Sequence, residues 1–483
     1  MFKRILKRFS ALYVCALIAI TSGVGASATS LETEFPGVTI PVPKNYTWQN
    51  LGEVLSAEVK DDYFVIDTKA GEYTEKLFIS LPNEGGFRIQ SLHEFQNREK
   101  PDVSAAGLFE PSGVKKLTYK NESGALVMTG SDGTVLKYSK TNGGFELQLC
   151  KANGQKIVSL TNEQISYAYN RKGEIVRSMV EIPLAKKEAI YGGGERYNGA
   201  DQVGSTTSLT NVDCWCRDPY SYQNVPIFHS NRGYSVYFNM FYAGQADIGD
   251  TNTRKYSVTF DGAKLDCYFW QGMPLDNLKK FTSITGTSGV SETWTYGFWT
   301  GAQNAAFESG AGTLNNLRDL IEGYNERYNF YPEACYAEGA AARTAQVNTY
   351  LNQRNIKVLG WFSPDIWKGF GDISEHLPNN SELPVVDKNG KITDPGHPFA
   401  YDSAFLDNYG KYRISQKNYI DFSNPSSVDL IKSCWEQYWD WGVSGTMDDF
   451  GEWYSFKGTY FNGLKGDEMH NLISWYYAKS AYD

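Results

Sequence analysis

The hydrophobic rhythm of the chain changes near residue 290. Before that point apolar and polar positions alternate. Phe145, Leu147 and Leu149 are separated by polar residues, and Ala152-Asn-Gly-Gln155 turns the chain into Ile157 and Ser159. Asn-Gly between alternating runs is a strong hairpin signal, with both turn residues expected at positive φ. Ser131-Asp-Gly133 precedes Val135-Leu136, and Arg171-Lys-Gly173 precedes Ile175-Val176, in the same way. Long helical periods are not seen over this stretch, and no internal repeat is found. The pattern predicts a large antiparallel β-sandwich domain over 29–290.

Beyond Glu292 the period becomes helical. Leu314, Leu317, Leu320, Ile321 and Tyr324 mark one face, and Val347, Tyr350 and Leu351 another. Tyr331–Ala337 and Ile356–Phe362 are expected as strands between them. Asn424-Pro425 supplies an N-cap and a first-turn proline, the face Val428, Ile431, Cys434, Trp435, Tyr438, Trp439 follows, and Gly442 ends the helix. Val443–Met447 is the next strand, and Met469, Leu472, Ile473, Tyr476 and Tyr477 mark a final helix. Counting from Thr295–Trp299, four strands are each followed by a helix, which predicts βαβ units around a parallel sheet. Four units make the first half of a (β/α)8 TIM barrel, placed at 291–483. Residues 363–418 have weak periodicity and are expected as a long functional loop or an inserted subdomain.

The N-terminus changes the picture. Met1–Arg8 is basic, Ala11–Ile20 is unbroken apolar sequence, and Ala26-Ser-Ala28 offers a cleavage site. This is the order of a secretory signal peptide over 1–28. Ten apolar residues are too few for a bilayer core that needs about 20. An extracellular or periplasmic protein with no stable membrane insertion is expected. The formal charge is −9, and removal of Lys3, Arg4, Lys7 and Arg8 takes it to −13. A net-acidic chain with no basic stripe argues against nucleic acid as a partner. Five scattered histidines and the Cys214-Trp-Cys216 spacing do not suit a metal site, and no cofactor is implied.

The chemistry concentrates in Gly445-Thr-Met-Asp448-Asp449-Phe-Gly-Glu452-Trp453. Three carboxylates fall at the C-terminal end of a predicted barrel strand, where barrel enzymes place catalytic groups. Adjacent acids on an extended chain point opposite ways. One enters the mouth, and the other faces the packing layer or caps the next helix. An N-cap or ion-pair role for either aspartate stands beside the catalytic one.

Asp449-Phe-Gly-Glu452 after an apolar strand resembles the nucleophile motif of glycoside hydrolase family 31, a family of retaining α-glycosidases. Further segments resemble the family in the same order. They are Tyr191-Gly-Gly-Gly-Glu-Arg196, Asn211-Val-Asp213, Val225-Pro-Ile-Phe-His-Ser-Asn-Arg-Gly-Tyr234, Leu265-Asp-Cys-Tyr-Phe-Trp-Gln-Gly272, Phe281-Thr-Ser-Ile-Thr-Gly286, Asp421-Phe-Ser-Asn-Pro425 and Glu468-Met-His-Asn471. The resemblance implies a galactose-mutarotase-like N-terminal sandwich ahead of the barrel. It implies Asp449 as nucleophile, with Glu452 in a supporting role, and an oligosaccharide or glycoside as substrate.

It also implies that Asp213 reaches over the barrel mouth toward the sugar. At the second strand, where the family has an aspartate, this chain has Cys335-Tyr-Ala-Glu338-Gly339, so Glu338 is the candidate sugar ligand, with a surface or capping carboxylate as the other reading. Trp361 and Asp365 on the third strand and Trp299 on the first are placed as further substrate contacts. Barrel core is the competing role for the two tryptophans. Arg196 and Arg232 are expected to hold loops. The family's acid/base lies on a later strand, so it is expected beyond Asp483, in a chain that looks truncated after the fourth unit. A non-catalytic carbohydrate-binding protein with a degenerate barrel, and an α-transglycosylase, are the alternatives.

Overall fold

The structure, a computed structural model, describes residues 34–35, 38–39, 42–60, 62–82, 84–92, 116, 118–212, 217–301, 311–337, 345–362, 365–366, 399–400, 418–452, 454, 456 and 460–483. The expected signal at 1–28, Asp213, Cys214, Cys216, Glu338 and most of 363–418 lie outside these residues. Glu34–Asp483 cluster as one unit.

Among the described residues, thirteen antiparallel strands form one large sheet that begins at Ile190–Gly194 and ends at Ser205–Ser208. A second sheet of five strands runs from Lys156–Thr161 to Tyr119–Glu122. The alternating apolar positions supply the shared core. Phe145, Leu147 and Leu149 are all buried, and Phe64 of the large sheet meets Tyr138 of the small one edge-on at 4.8 Å. The large sheet also folds over itself, as the 5.7 Å contact of Phe238 with Phe260 records. This is the galactose mutarotase-like sandwich architecture expected above.

Three local expectations need correction. At Asn153-Gly154 only the glycine takes positive φ, at 83°. The Asn153 side chain instead accepts from the Gln155 amide at 3.0 Å, and the ladder slips by one residue between Leu149 and Cys150. The loop is therefore wider than a two-residue turn. Second, a helix α1 (Pro274–Thr285) lies inside the stretch expected to be all β. It hides from pattern reading because Leu275 and Leu278 are exposed. Its inner face is mixed: buried Asn277 donates to Ser235 Oγ at 2.8 Å and to the Gly272 carbonyl at 2.9 Å, and Phe281 and Ile284 pack beside Tyr237 and Trp270. Third, the final helix is broken, for a reason given with the site below.

The second region is a parallel sheet of four described strands, in spatial order β1 (Trp299–Gly301), β2 (Ala334–Ala337), β3 (Lys357–Phe362) and β4 (Gly445–Asp448). Helices α2 (Ala311–Tyr328), α3 (Ala345–Asn352) and α4 (Pro425–Asp440) connect them. Leu317 and Ile321 of α2 and Val347 and Leu351 of α3 are buried, while Leu320 is exposed. The sheet is the partial barrel expected from the strand–helix count, but its first strand is Trp299–Gly301 and not Thr295–Trp299, because Thr293–Tyr296 forms a 3-10 turn. Between β3 and α4, Asp365–Ile366, Phe399–Ala400 and Asn418–Ile420 pair as a small antiparallel sheet. Gly360 lets α4 approach β3, since a Cβ there would lie 2.9 Å from the Tyr438 ring. Phe362 then packs on Trp435 at 5.0 Å.

One buried ion pair crosses the large sheet. Arg88 donates to Asp266 through Nε at 2.8 Å and Nη2 at 2.6 Å, and Asn239 adds a third donor at 3.0 Å. Removing one partner strands a buried charge, which costs about 3–5 kcal/mol. Asp266→Ala should lower the urea midpoint by a corresponding amount, whereas Arg88→Met/Asp266→Leu should lose less than the single change. Equal loss in both, measured by equilibrium unfolding, would contradict this reading of the pair.

Candidate active site

The strand β4 ends where its two carboxylates begin to diverge. Phe362 and Asp448 are paired across β3 and β4, and the Asp449 amide still donates to the Phe362 carbonyl at 2.8 Å. The chain then leaves the sheet through Phe450 at φ 62° and Gly451 at φ 106°. A phenylalanine in the left-handed region is uncommon and needs compensation. Here the Phe450 amide donates to Asp449 Oδ1 at 2.9 Å and to the Tyr222 hydroxyl oxygen at 2.8 Å.

Asp448 and Asp449 have different surroundings, as consecutive residues on an extended chain should. Asp448 Oδ2 accepts from Thr446 Oγ1 at 3.3 Å. Its side chain is exposed to solvent, yet the protein around it disfavours charge. That desolvation pushes its pKa up to about 6, partly opposed by Thr446 and the Trp435 indole. Asp449 is half-buried and faces the β-sandwich instead, where the Tyr222 hydroxyl donates to its Oδ1 at 2.6 Å. Glu452, two residues beyond Phe450, is buried at 2% exposure. Burial first, and then the charges of Glu452 and Asp449, hold the Tyr222 phenol well above its ordinary pKa. It therefore stays protonated and donates.

Tyr222 lies on a sandwich loop, so the site spans both regions, and a polar clasp joins them. His470 places Nδ1 2.6 Å from the Tyr454 carbonyl and Nε2 2.7 Å from the Asn211 carbonyl. Asn471 accepts from the Asn211 amide at 2.9 Å and donates to the Leu209 carbonyl at 3.0 Å. These bonds explain the broken last helix. The chain forms α5 (Gly466–Met469), turns at His470–Leu472, and resumes as α6 (Ile473–Tyr482). Asn211 is held in turn by Asn224, whose Nδ2 donates to its Oδ1 at 3.0 Å. Arg196 secures the same loops through Nη2, which donates to Asn224 Oδ1 at 2.7 Å, to the Ser208 carbonyl at 3.1 Å and to the Gly193 carbonyl. Arg232 likewise donates to the Lys186 carbonyl at 2.7 Å.

A cleft of about 400 Å³ opens at this junction. Its walls are Asn211, Tyr222, Gln223 and Asn224 from the sandwich, Asp448, Phe450 and Glu452 from the β4 loop, and Asn471, Ser474, Tyr477, Ala478 and Ala481 from the last helices. Asp449 itself meets this wall through Tyr222 and Phe450. The volume and the row of amide and carboxyl groups suit a small polar ligand.

The other expected substrate contacts are less drawn together. Trp299 is on β1, at the far edge of the sheet from β4, and is 44% exposed. Its indole N–H donates to the Trp294 carbonyl at 3.1 Å, and it is not in the cleft wall. The backbone of Trp361 pairs with Met447 and that of Asp365 with Tyr419; their side chains, like Asp213 and Glu338, lie outside the described residues. Val212, immediately before Asp213, is buried beside the clasp, and Glu338 follows the end of β2. Among the described residues no group of three His, Cys, Asp or Glu is placed to hold a metal ion, and no helix is long and apolar enough to cross a membrane.

Comparison with known proteins agrees with the two-part architecture. Residues 76–247 match the glycosyl hydrolase 31 N-terminal galactose mutarotase-like domain. An alpha-xylosidase of Lactiplantibacillus pentosus is 21% identical over 352 residues, 70% of this chain and 44% of that protein. An alpha-xylosidase of Emericella nidulans is 22% identical over 384 residues, 75% of this chain and 45% of that one. The chain thus spans less than half the length of these relatives. Among solved structures, the cycloalternan-forming enzyme of Listeria monocytogenes in complex with pentasaccharide superposes with a TM-score of 0.68 at 17% identity, covering 90% of this chain and 44% of that one. The GH31 dextranase of Flavobacterium johnsoniae gives 0.65 at 16%, covering 90% and 52%.

The environment of Asp448 has a measurable consequence. Its folded pKa near 6 exceeds the unfolded value of about 3.9. Folding therefore favours the protonated form, and its contribution to stability is full below pH about 4 and lost as pH rises through 6. Asp448→Asn should melt higher than the parent at pH 7 and level with it at pH 4. A gap that is constant between pH 4 and 7 would contradict the assigned surroundings.

Proposed function

We propose that this chain, which belongs with glycoside hydrolase family 31, supplies the nucleophile half of a retaining α-glycosidase site. The observation that supports it is the placement of Asp449. It is the first residue beyond a parallel strand, held by two donors on one oxygen, beside a polar cleft. In a double displacement the carboxylate attacks the anomeric carbon and the leaving group takes a proton from a second carboxyl about 5–5.5 Å away. Water then attacks the same carbon, and the ester bond to the carboxylate breaks. The acid/base is proposed to come from sequence beyond Asp483, and residues 1–28 to direct export.

The substrate is an α-linked glycoside or oligosaccharide. The activities named for similar proteins, alpha-xylosidase and dextranase, support that class. A neighbour named for forming cycloalternan favours transglycosylation as the second reading, with a sugar hydroxyl replacing water as acceptor.

The test is a fluorinated mechanism-based glycoside applied to the full-length polypeptide, followed by peptide mass spectrometry. The label should sit on Asp449. Asp449→Ala should lower kcat by roughly 10⁴-fold or more while the protein still folds, and Asp448→Asn should cost far less. A label on Asp448, or an active Asp449→Ala enzyme, would overturn the assignment.

A further inference from the structure

We propose that Tyr222 is a positioning residue for the nucleophile and speeds the second half of the reaction. The inference rests on Asp449 as nucleophile and adds a group from the β-sandwich to its machinery. The hydrogen-bond pattern around Tyr222 carries the argument. Its hydroxyl oxygen accepts from the Phe450 amide at 2.8 Å, so its single proton is directed to Asp449 Oδ1, 2.6 Å away. Oδ1 also accepts from the Phe450 amide at 2.9 Å. Two donors on Oδ1 fix the rotation of the carboxylate and assign the attack to Oδ2.

The loop bearing Tyr222 is rigid enough for this role. Ser221 Oγ donates to the Glu195 carbonyl at 2.7 Å and lies 3.1 Å from the Gln223 carbonyl, and Asn224 is tied to Asn211.

The chemistry gives Tyr222 unequal effects on the two steps. In the first step an Oδ2 electron pair forms the bond to the anomeric carbon as the glycosidic C–O bond breaks and its oxygen leaves with a proton from the acid, and Oδ1 becomes the carbonyl oxygen of the ester. In the second step water adds to that carbon, its proton passes to the base, and the electron pair of the C–Oδ2 bond returns to Asp449 as a carboxylate. A donor on Oδ1 bonds a carboxylate more strongly than an ester carbonyl. Tyr222 therefore stabilises the departing carboxylate and accelerates ester breakdown. In formation of the ester the same bond weakens as the carboxylate becomes an ester, which offsets its orienting effect.

The experiment compares the full-length enzyme with Tyr222→Phe and with 3-fluorotyrosine incorporated at position 222. The readouts are steady-state constants, the position of the fluoroglycoside label and the lifetime of the labelled ester. Losing one hydrogen bond to a charged group corresponds to roughly 10- to 100-fold. Tyr222→Phe should lower kcat by that factor, lower KM with it, and lengthen the ester lifetime. The more acidic fluorotyrosine should shorten it. Lifetimes unchanged in both variants, or a raised KM with no gain in lifetime, would overturn the role of Tyr222 while leaving a label on Asp449 intact. A parent enzyme labelled elsewhere would overturn the nucleophile assignment and this inference with it.

Discussion

A 2.6 Å hydrogen bond between Tyr222 and Asp449 links the loop of an antiparallel sandwich to the end of a parallel strand. Without a fixed relation between the two regions that bond has no meaning, and the clasp of Asn211, His470 and Asn471 provides the relation. Its acceptors are mostly backbone carbonyls, so it constrains where the loops run and not merely which side chains meet. A carbonyl on each side of the His470 ring also makes that residue hard to replace by an apolar one of equal size, since buried carbonyl oxygens left unbonded are costly. The break between α5 and α6 is the local cost of this arrangement.

The same constraint separates two chemically identical neighbours. Asp448 and Asp449 differ by one position at the end of an extended strand, and the pleat sends them toward different surroundings. One meets Thr446 and protein that disfavours its charge, and the other accepts from a phenol and an amide. Phe450 in the left-handed region is part of that division, because its backbone turns an amide back onto Asp449. A residue that looks out of place in the local sequence is thus tied to the site by its own N–H.

Much of the fold was legible because its signals are periodic. The alternation through Phe145, Leu147 and Leu149 and the helical faces around Leu317 and Val347 correspond to buried positions. Helix α1 was not legible, because its buried face mixes Asn277 with Phe281 and Ile284 while Leu275 and Leu278 face out. The end of β4 was legible from three carboxylates after an apolar strand. Tyr222 and Asn224 were not, because Tyr222 meets Asp449 across more than two hundred residues and Asn224 acts through Asn211. His470 was legible as part of Glu468-Met-His-Asn471, but its bonds to backbone carbonyls were not. A local hint of Tyr222 was the tyrosine-rich run Tyr220-Ser-Tyr222 ahead of a strand. Trp299, an aromatic expected at a strand end, is half-exposed outside the cleft wall with its indole N–H bonded to Trp294.

The most direct measurement is a crystal structure of the trapped glycosyl-enzyme. The account predicts a covalent bond from the sugar's anomeric carbon to Asp449 Oδ2, with the Tyr222 hydroxyl still within hydrogen-bond distance of Oδ1 and the clasp intact. A sugar bonded to another carboxylate, or one bonded through Oδ1 with Tyr222 displaced, would contradict it.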